Sequence, residues 1–203
     1  MMIRRRSLAI FFSLAIIIIL SIICAPRFLL YSFDVTKTDK KVDTIVLLLG
    51  ESFSARKKEA HLLSHKGLAN YLIIPAYYKM YQFDGGGMKE VPLSRSAFSE
   101  EMENDKISSL IYENTHLEIL QAKIIMSRQN FNSVVFVSSP YHMRRIKIIV
   151  SHVFKNETDD IYYMATRFER APGNFWQMSL RDWKNVLLEY LKIIWFFLYA
   201  KII

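Results

Sequence analysis

Cysteine is almost missing from this chain of 203 residues, with Cys24 as its single thiol. One thiol closes no disulfide within a chain and builds no zinc ribbon or dithiol redox pair, a composition that suits an exported domain. Nucleic acid is not an expected partner, because no dense basic stripe is interleaved with aromatic residues. Metal-like spacing is confined to His61 and His65. Leu62, Leu63 and Ser64 lie between them, and no glutamate base or third ligand is near, so two polar residues on a helix are the simpler reading and no metal site is expected. The Gly-x-Ser-x-Gly elbow of serine hydrolases is lacking, as is any phosphate-loop fingerprint, and no fixed-period repeat is visible.

What the chain does have is apolar residues, at 52% of the total. That is enough for one ordinary core and an additional segment. The additional segment is at the front, where Arg4, Arg5 and Arg6 precede an uncharged run from Ser7 to Ala25 rich in Ile, Leu, Phe and Ala. About 20 apolar residues in a helix span the roughly 30 Å of bilayer hydrocarbon. A cleaved signal peptide has a shorter apolar core and a small-x-small site; this run ends with large residues, Ile22-Ile23, before Cys24. Residues 1–30 are therefore expected to be an arginine cluster and a retained single-pass anchor, with Cys24 in the membrane. The positive-inside rule puts the arginines in the cytoplasm and everything after residue 30 outside. Arg4, Arg5, Arg6 and Arg27 account for half of the net charge of +8, leaving a mild +4 beyond the anchor. Such a balance suits an anionic membrane or an anionic small ligand.

Residues 31–41 read as a polar connector and 42–203 as one domain. Thr44 to Leu49 is a continuous apolar run ending at Gly50, the pattern of a strand covered on both faces. A helix is predicted from Ser54 or Ala55 to about Lys66, stopped by Gly67. Tyr71 to Ile74 is a second strand, and Ala76 to Val91, with its three consecutive glycines, reads as a long irregular loop. Ser94 to Asn104 is helix-like, Ile107 to Tyr112 a short strand, and Thr115 to Gln129 a helix. Ser133 to Val137 is a strand, Tyr141 to Phe154 a helix, and Ile161 to Ala165 a last strand. Alternation of this kind predicts an α/β fold, a mostly parallel sheet wrapped by helices. The final segment, Ser179 to Ala200, is a helix with a polar stripe formed by Arg181, Lys184 or Asn185, Glu189 and Lys192. Its apolar end is too short to cross a bilayer. Two readings stay open for it: a helix whose aromatic end meets the outer membrane surface, and a purely structural one.

Three clusters fall where parallel strands should end. Gly50-Glu51-Ser52-Phe53-Ser54-Ala55-Arg56 follows the first strand; small residues let backbone N–H groups approach an anion there, and Arg56 adds a bidentate donor. Ser52 and Ser54 are equally read as helix caps. In Glu113-Asn114-Thr115-His116-Leu117-Glu118, Thr115 and Glu118 fit a capping box, while Glu113 and Asn114 at the strand end are candidates to face a ligand. In Ser138-Ser139-Pro140-Tyr141-His142-Met143-Arg144-Arg145, Ser139 reads as an N-cap and His142 falls in the first turn. The positive end of a helix disfavours imidazolium, so His142 is expected to be neutral, a donor or base.

These segments, together with Val42 to Gly50, Arg56 and Ala60 before Gly67, and the tail Leu187-Leu188-Glu189-Tyr190-Leu191-Lys192, resemble the YdcF-like family, which includes SanA-like and ElyC-like bacterial envelope proteins. The resemblance covers roughly residues 42 to 200, and Tyr141-His142-Met143 with Arg145 is its most specific part. It implies a Rossmann-like domain behind one membrane helix in the bacterial plasma membrane, and a role in envelope or peptidoglycan-precursor metabolism. It also implies a pocket at Arg56, Thr115, Glu118, Ser138, His142 and Arg145. The expectation is thus a membrane-anchored envelope protein that binds, and in one reading processes, an anionic metabolite such as a lipid-linked precursor. His142 and Glu118 are its candidate catalytic residues. Arg56, Glu113, Asn114, Thr115, Ser138 and Arg145 are its candidate ligand residues. A non-catalytic assembly factor is the alternative, and neither a reaction nor a cofactor is named by the residues.

Overall fold

Four apolar runs of strand length lie side by side as the parallel part of one sheet: β1 (Val42–Leu47), β2 (Ala69–Ile74), β5 (Ser133–Ser138) and β6 (Asp160–Ala165). Two further strands, β3 (Lys79–Asp84) and β4 (Gly87–Val91), continue the sheet as an antiparallel ribbon beside β2. The order is β4-β3-β2-β1-β5-β6. This computed structural model describes residues 2–30, 40–84, 87–93, 112–155 and 160–201. In the register, Val46 lies opposite Ile73 on one side and Phe136 on the other.

The helices are α1 (Met2–Leu29), α2 (Phe53–His65), α3 (Asn114–Gln129), α4 (Met143–Val153) and α5 (Leu180–Tyr199). Ala60 and Leu63 of α2 pack on the face bearing Ile45, Leu47, Val135 and Val137. The opposite face, bearing Val46, Val134 and Phe136, is covered by residues of α3, α4 and α5, among them Ile119, Ile146 and Phe196. Burial on both faces explains why β1 and β5 are apolar without alternation. The fold is therefore α/β, with a mostly parallel sheet between helices, as the sequence predicts.

Two expectations change. The stretch from Ala76 to Val91 is mostly the β3–β4 ribbon rather than a loop. Tyr81, Gln82 and Met88 to Glu90 lie at a half-covered sheet edge, so the ribbon lacks the apolar run that marks a central strand. The segment opening at Tyr141 starts as a tight turn over Pro140–His142, and α4 begins only at Met143. The helix at 94–104 falls outside the described residues, as does nearly all of the strand at 107–112.

The chain leaves β1 into α2 on one face and leaves β5 into α4 on the other. A crevice opens between such strand ends, the usual ligand position in an open α/β sheet. At the opposite end Asp43 ties β1 to β5: its Oδ2 accepts from the N–H groups of Asn132 and Ser133 at 2.8 and 2.9 Å and from the Ser133 hydroxyl at 2.8 Å.

The helix α1 is long and apolar enough to cross a membrane, with a mean hydropathy of 2.4 over Phe12–Leu29. Its last turn belongs to the domain's packing. Leu29 is fully buried with Tyr141, Val186 and Ile193, the Tyr190 hydroxyl donates to the Ala25 carbonyl at 3.0 Å, and Arg144 Nε donates to the Phe28 carbonyl at 2.8 Å.

Removing the Asp43 carboxylate by Asp43→Asn should cost about 2 kcal/mol, the scale of hydrogen bonds to a charged acceptor. Urea unfolding of the chain would measure it, and an unchanged midpoint would mean that the latch does not hold the register.

Candidate functional site

Arg56, in the first turn of α2, is 1% exposed and reaches back over the end of β1. Its Nη1 donates to the carbonyls of Leu48, at 2.8 Å, and Leu49. Nε and Nη2 donate to the Ser139 hydroxyl at 3.1 and 2.9 Å, and Nη2 lies 3.5 Å from His142 Nδ1. The guanidinium thus ties the end of β1 to the turn after β5. Gly50 permits this: a Cβ there would lie 2.8 Å from Arg56 Cζ. The Ser139 hydroxyl in turn donates to Glu169 Oε2 at 2.5 Å. Ser139 precedes the turn at Pro140 but makes no capping bond, because its hydroxyl serves Arg56 and Glu169 instead.

Arg145, on the first turns of α4, is 2% exposed and gathers acids from two other helices. Its Nε and Nη2 donate to the two oxygens of Glu189 on α5 at 2.7 and 3.2 Å. Its Nη1 donates to Glu113, at the N-terminus of α3, and to the Thr115 hydroxyl at 2.7 Å. The expected capping box is accordingly not formed. Glu113 occupies the cap position without a side-chain cap bond, Thr115 serves Arg145, and Glu118 Oε2 accepts from the Leu49 N–H at 2.8 Å. Tertiary partners outbid the local ones because the helix start is pressed against the strand ends.

His142 stands between the two arginines. An arginine only donates, so the approach of Arg56 to Nδ1 makes that nitrogen the acceptor and leaves the proton on Nε2. Nε2 lies 3.6 Å from Glu189 Oε1. Burial pushes the imidazole down to about 3; Arg145, Arg56 and Lys192 act in the same direction against Glu189. The ring is neutral at pH 7, with burial rather than the helix end as the main cause. Burial would raise Glu189, yet Arg145, His142 and Lys192 hold it below the usual carboxylate range. Glu113 and Glu118 are raised by burial, against the pull of Arg145 on the first and of the Leu49 N–H and Arg56 on the second.

Above this network lie two open clefts that share Gly50, His142 and Lys192. The larger, of about 510 Å³, is also lined by Glu51, Ser139, Glu169, Arg170, Arg181 and Glu189. The smaller, of about 410 Å³, reaches Asn114, Thr115, Glu118 and Gln121. Arg181 is largely exposed, with Glu51 3.6 Å away, and Lys192, 46% exposed, has its Nζ 3.3 Å from Glu189 Oε1. The cations that face solvent here are therefore Lys192 and Arg181, joined by Arg170, whereas Arg56 and Arg145 are spent inside the fold.

The structure thus brings together Arg56, His142, Arg145, Glu113, Thr115 and Glu118, and places Asn114 on the rim of the smaller cleft. Ser138 lines neither cleft. Strand alternation turns it to the Val134–Phe136 face, it is 1% exposed, and its hydroxyl has no hydrogen-bond partner; Ser139 lines the cleft in its place. Sequence reasoning missed Glu189 and Lys192 as site residues. The signal was the polar stripe of the last helix: Glu189 shares the inward face with Val186, Ile193 and Phe196, where an acid calls for a buried partner. Nothing local marks Glu169. Among the described residues no cluster of three His, Cys, Asp or Glu side chains is arranged to hold a metal.

No family model, no curated protein and no solved structure matches this chain.

Cutting the Arg145–Glu189 pair from one side strands a buried charge, which costs about 3–5 kcal/mol. Arg145→Met and Glu189→Leu should each lose stability on that scale. The double variant should lose less than their sum by more than about 1 kcal/mol in denaturant unfolding; additive losses would refute the coupling.

His142 and His116, the latter pushed down to about 4 mainly by burial, fold as neutral rings. Their contribution to stability is full above the ordinary value of 6.5 and is lost as pH falls toward their folded values. The raised Glu113 and Glu118 act in the opposite sense. The melting temperature should fall between pH 7 and pH 5, and His142→Asn should shrink that fall; an equal fall in the variant would rule out the assignment.

Proposed function

We propose that this chain is a membrane-anchored protein of the bacterial envelope whose outer domain binds an anionic metabolite in the cleft at the ends of β1 and β5. The observation that carries the reading is the meeting of a neutral His142 with the solvent-facing ammonium of Lys192 over a buried, charge-satisfied floor. Lys192, Arg170 and Arg181 supply mobile positive charge to the entering group, while the internally bonded Arg56 and Arg145 keep the floor rigid. His142 and Lys192 line both clefts, so the Nε2–H is a donor open to a ligand that meets Lys192, and Glu118 is a carboxyl on the wall of the smaller cleft. The likeness of the Tyr141 to Arg145 segment to the YdcF-like family supports an envelope metabolite, with lipid-linked precursors as the class that suits a tethered domain. The arginine cluster before the apolar helix supports a cytoplasmic N-terminus.

A non-catalytic assembly role is favoured by a separate observation. Arg56 and Arg145, the residues that would otherwise clamp a substrate, have their donors committed within the fold. In that reading the ligand regulates docking and is not transformed.

Native mass spectrometry of the full chain released from membranes should find an anionic adduct that is weakened in Lys192→Met/Arg170→Met. Retention of the adduct at full occupancy would sink the binding reading. Loss of envelope function in a His142→Asn variant that still carries the adduct would favour processing, whereas retained function would favour the binding-only role.

A further inference from the structure

The helix α5 carries more apolar surface outward than a water-facing helix should. At about 100° per residue, Leu180, Leu187, Leu191, Ile194 and Leu198 fall within an arc of roughly 60°. Every one of them is at least 52% exposed, and Trp195, 49% exposed, borders the stripe. The opposite face, with Val186, Glu189, Ile193 and Phe196, is the one that packs on the domain. The two flanks differ. On one, Tyr190 bonds to the Ala25 carbonyl and stacks on Phe28 with ring centroids 6.1 Å apart. On the other, Arg181, Asn185, Leu188 and Lys192 line the larger cleft.

The length of α1 decides what covers the stripe. The uncharged run from Ser7 to Ala25, at about 1.5 Å per residue, is close to the roughly 30 Å of bilayer hydrocarbon. A span of that length puts its outer boundary at Ala25 to Phe28, the residues that Tyr190 and Arg144 hold. The docking leaves no slack between the span and the domain, so the middle of α5 sits at the level of the lipid headgroups. A second feature sits at the same level. Arg27 donates to the Asn174 side chain, and the next residues, Phe175 and Trp176, are exposed, Trp176 at 66%. Exposed tryptophan beside a span's end is the composition of a membrane interface. Arg181, Lys184, Lys192 and Lys201 supply cations along the same helix and just beyond it, suited to lipid phosphates.

We infer that α5 is an interfacial helix, with its Leu180–Leu198 stripe immersed in the outer leaflet and its cleft flank opening at the headgroup plane. The furrow between α1 and α5, about 570 Å³ and lined by Ile22, Cys24, Phe28, Trp183 and Leu187, then takes lipid acyl chains. A bilayer is the occupant of this face, and an anionic group borne on a lipid reaches Lys192 without leaving the membrane surface. The inference rests on α1 spanning the membrane, and it does not require the cleft to bind any particular ligand.

The test is nitroxide scanning of the full chain in nanodiscs of phosphatidylethanolamine and phosphatidylglycerol, in a Cys24→Ser background. Labels are placed singly at Ile16, Leu187, Leu191, Leu198 and Arg181, all exposed positions. Labels at 16, 187, 191 and 198 should collide with oxygen more than with a water-soluble nickel chelate, and the ratio should reverse at 181. Chelate access at 187, 191 and 198 with a lipid-exposed label at 16 would overturn the interfacial helix while leaving the anchor intact. Chelate access at 16 would remove the anchor and the inference together. Dipolar broadening between labels at 191 would assign the face to a second copy of the chain and overturn the inference as well.

Discussion

The ion pair between Arg145 and Glu189 is the contact on which the candidate site depends. It is almost completely dry, and it binds α4 to α5, while the remaining Arg145 donors hold the start of α3 through Glu113 and Thr115. Three helices are thereby fixed at one end of the sheet, and α3 is tied further to α5 through His116 and Tyr199 and to α4 through Lys123 and the Val153 carbonyl. Two charges withdrawn from water recover their desolvation only when geometry and further hydrogen bonds are good. That condition pins the position of α5 more narrowly than its apolar contacts do, since apolar packing tolerates sliding and a bidentate pair does not.

Arg56 does the equivalent work on the other face. Among the described residues no carboxylate accepts a hydrogen bond from it; it is held by the Leu48 and Leu49 carbonyls just beyond β1 and by Ser139, and Ser139 passes the charge on to Glu169. The two arginines lie on opposite sides of His142 and disfavour its protonation together with burial. A neutral imidazole between two guanidiniums is therefore a consequence of how the strand ends are closed. The ring, with its side chain 28% exposed, borders both clefts.

Much of this was legible in the chain. Strands buried on both faces announce themselves as continuous apolar runs, which is why β1, β2 and β5 were readable from Thr44 to Leu49, Tyr71 to Ile74 and Ser133 to Val137. The β3–β4 ribbon was not, because an edge ribbon draws its order from pairing with β2 and shows only a weak alternation around three glycines. Arg56, His142 and Arg145 were legible as a group through their positions after strands. Their roles were not. A sequence shows a guanidinium at a strand end but not whether carboxylates from distant helices will occupy it, and Glu189 and Glu169 lie 44 and 30 residues from the side chains they bind. Local capping rules failed at Thr115 and Ser139 for the same reason, since a buried arginine is a stronger claimant on a hydroxyl than a free helix N–H that water can serve.

A further constraint follows from the way α5 divides its surface. Glu189 faces inward to Arg145, Lys192 turns toward the cleft, and Leu191 between them faces out, so one helical turn couples the domain's buried charge, its cleft-facing charge and its outward apolar stripe. Any rotation of α5 that buried Leu191 better would tear Glu189 from Arg145. The exposed stripe is thus not a packing choice the domain can relax away, and its cost in water persists for as long as the ion pair does. At rest Lys192 lies against Glu189, and an anion that draws the ammonium outward removes one of the two cations, Arg145 and Lys192, that hold that carboxyl below the usual carboxylate range. The carboxyl then leans more heavily on Arg145 and on the Nε2–H of His142. Charge in the cleft, histidine and helix position are linked through a single carboxylate, and that linkage passes along the same helix that packs on the end of the apolar helix α1.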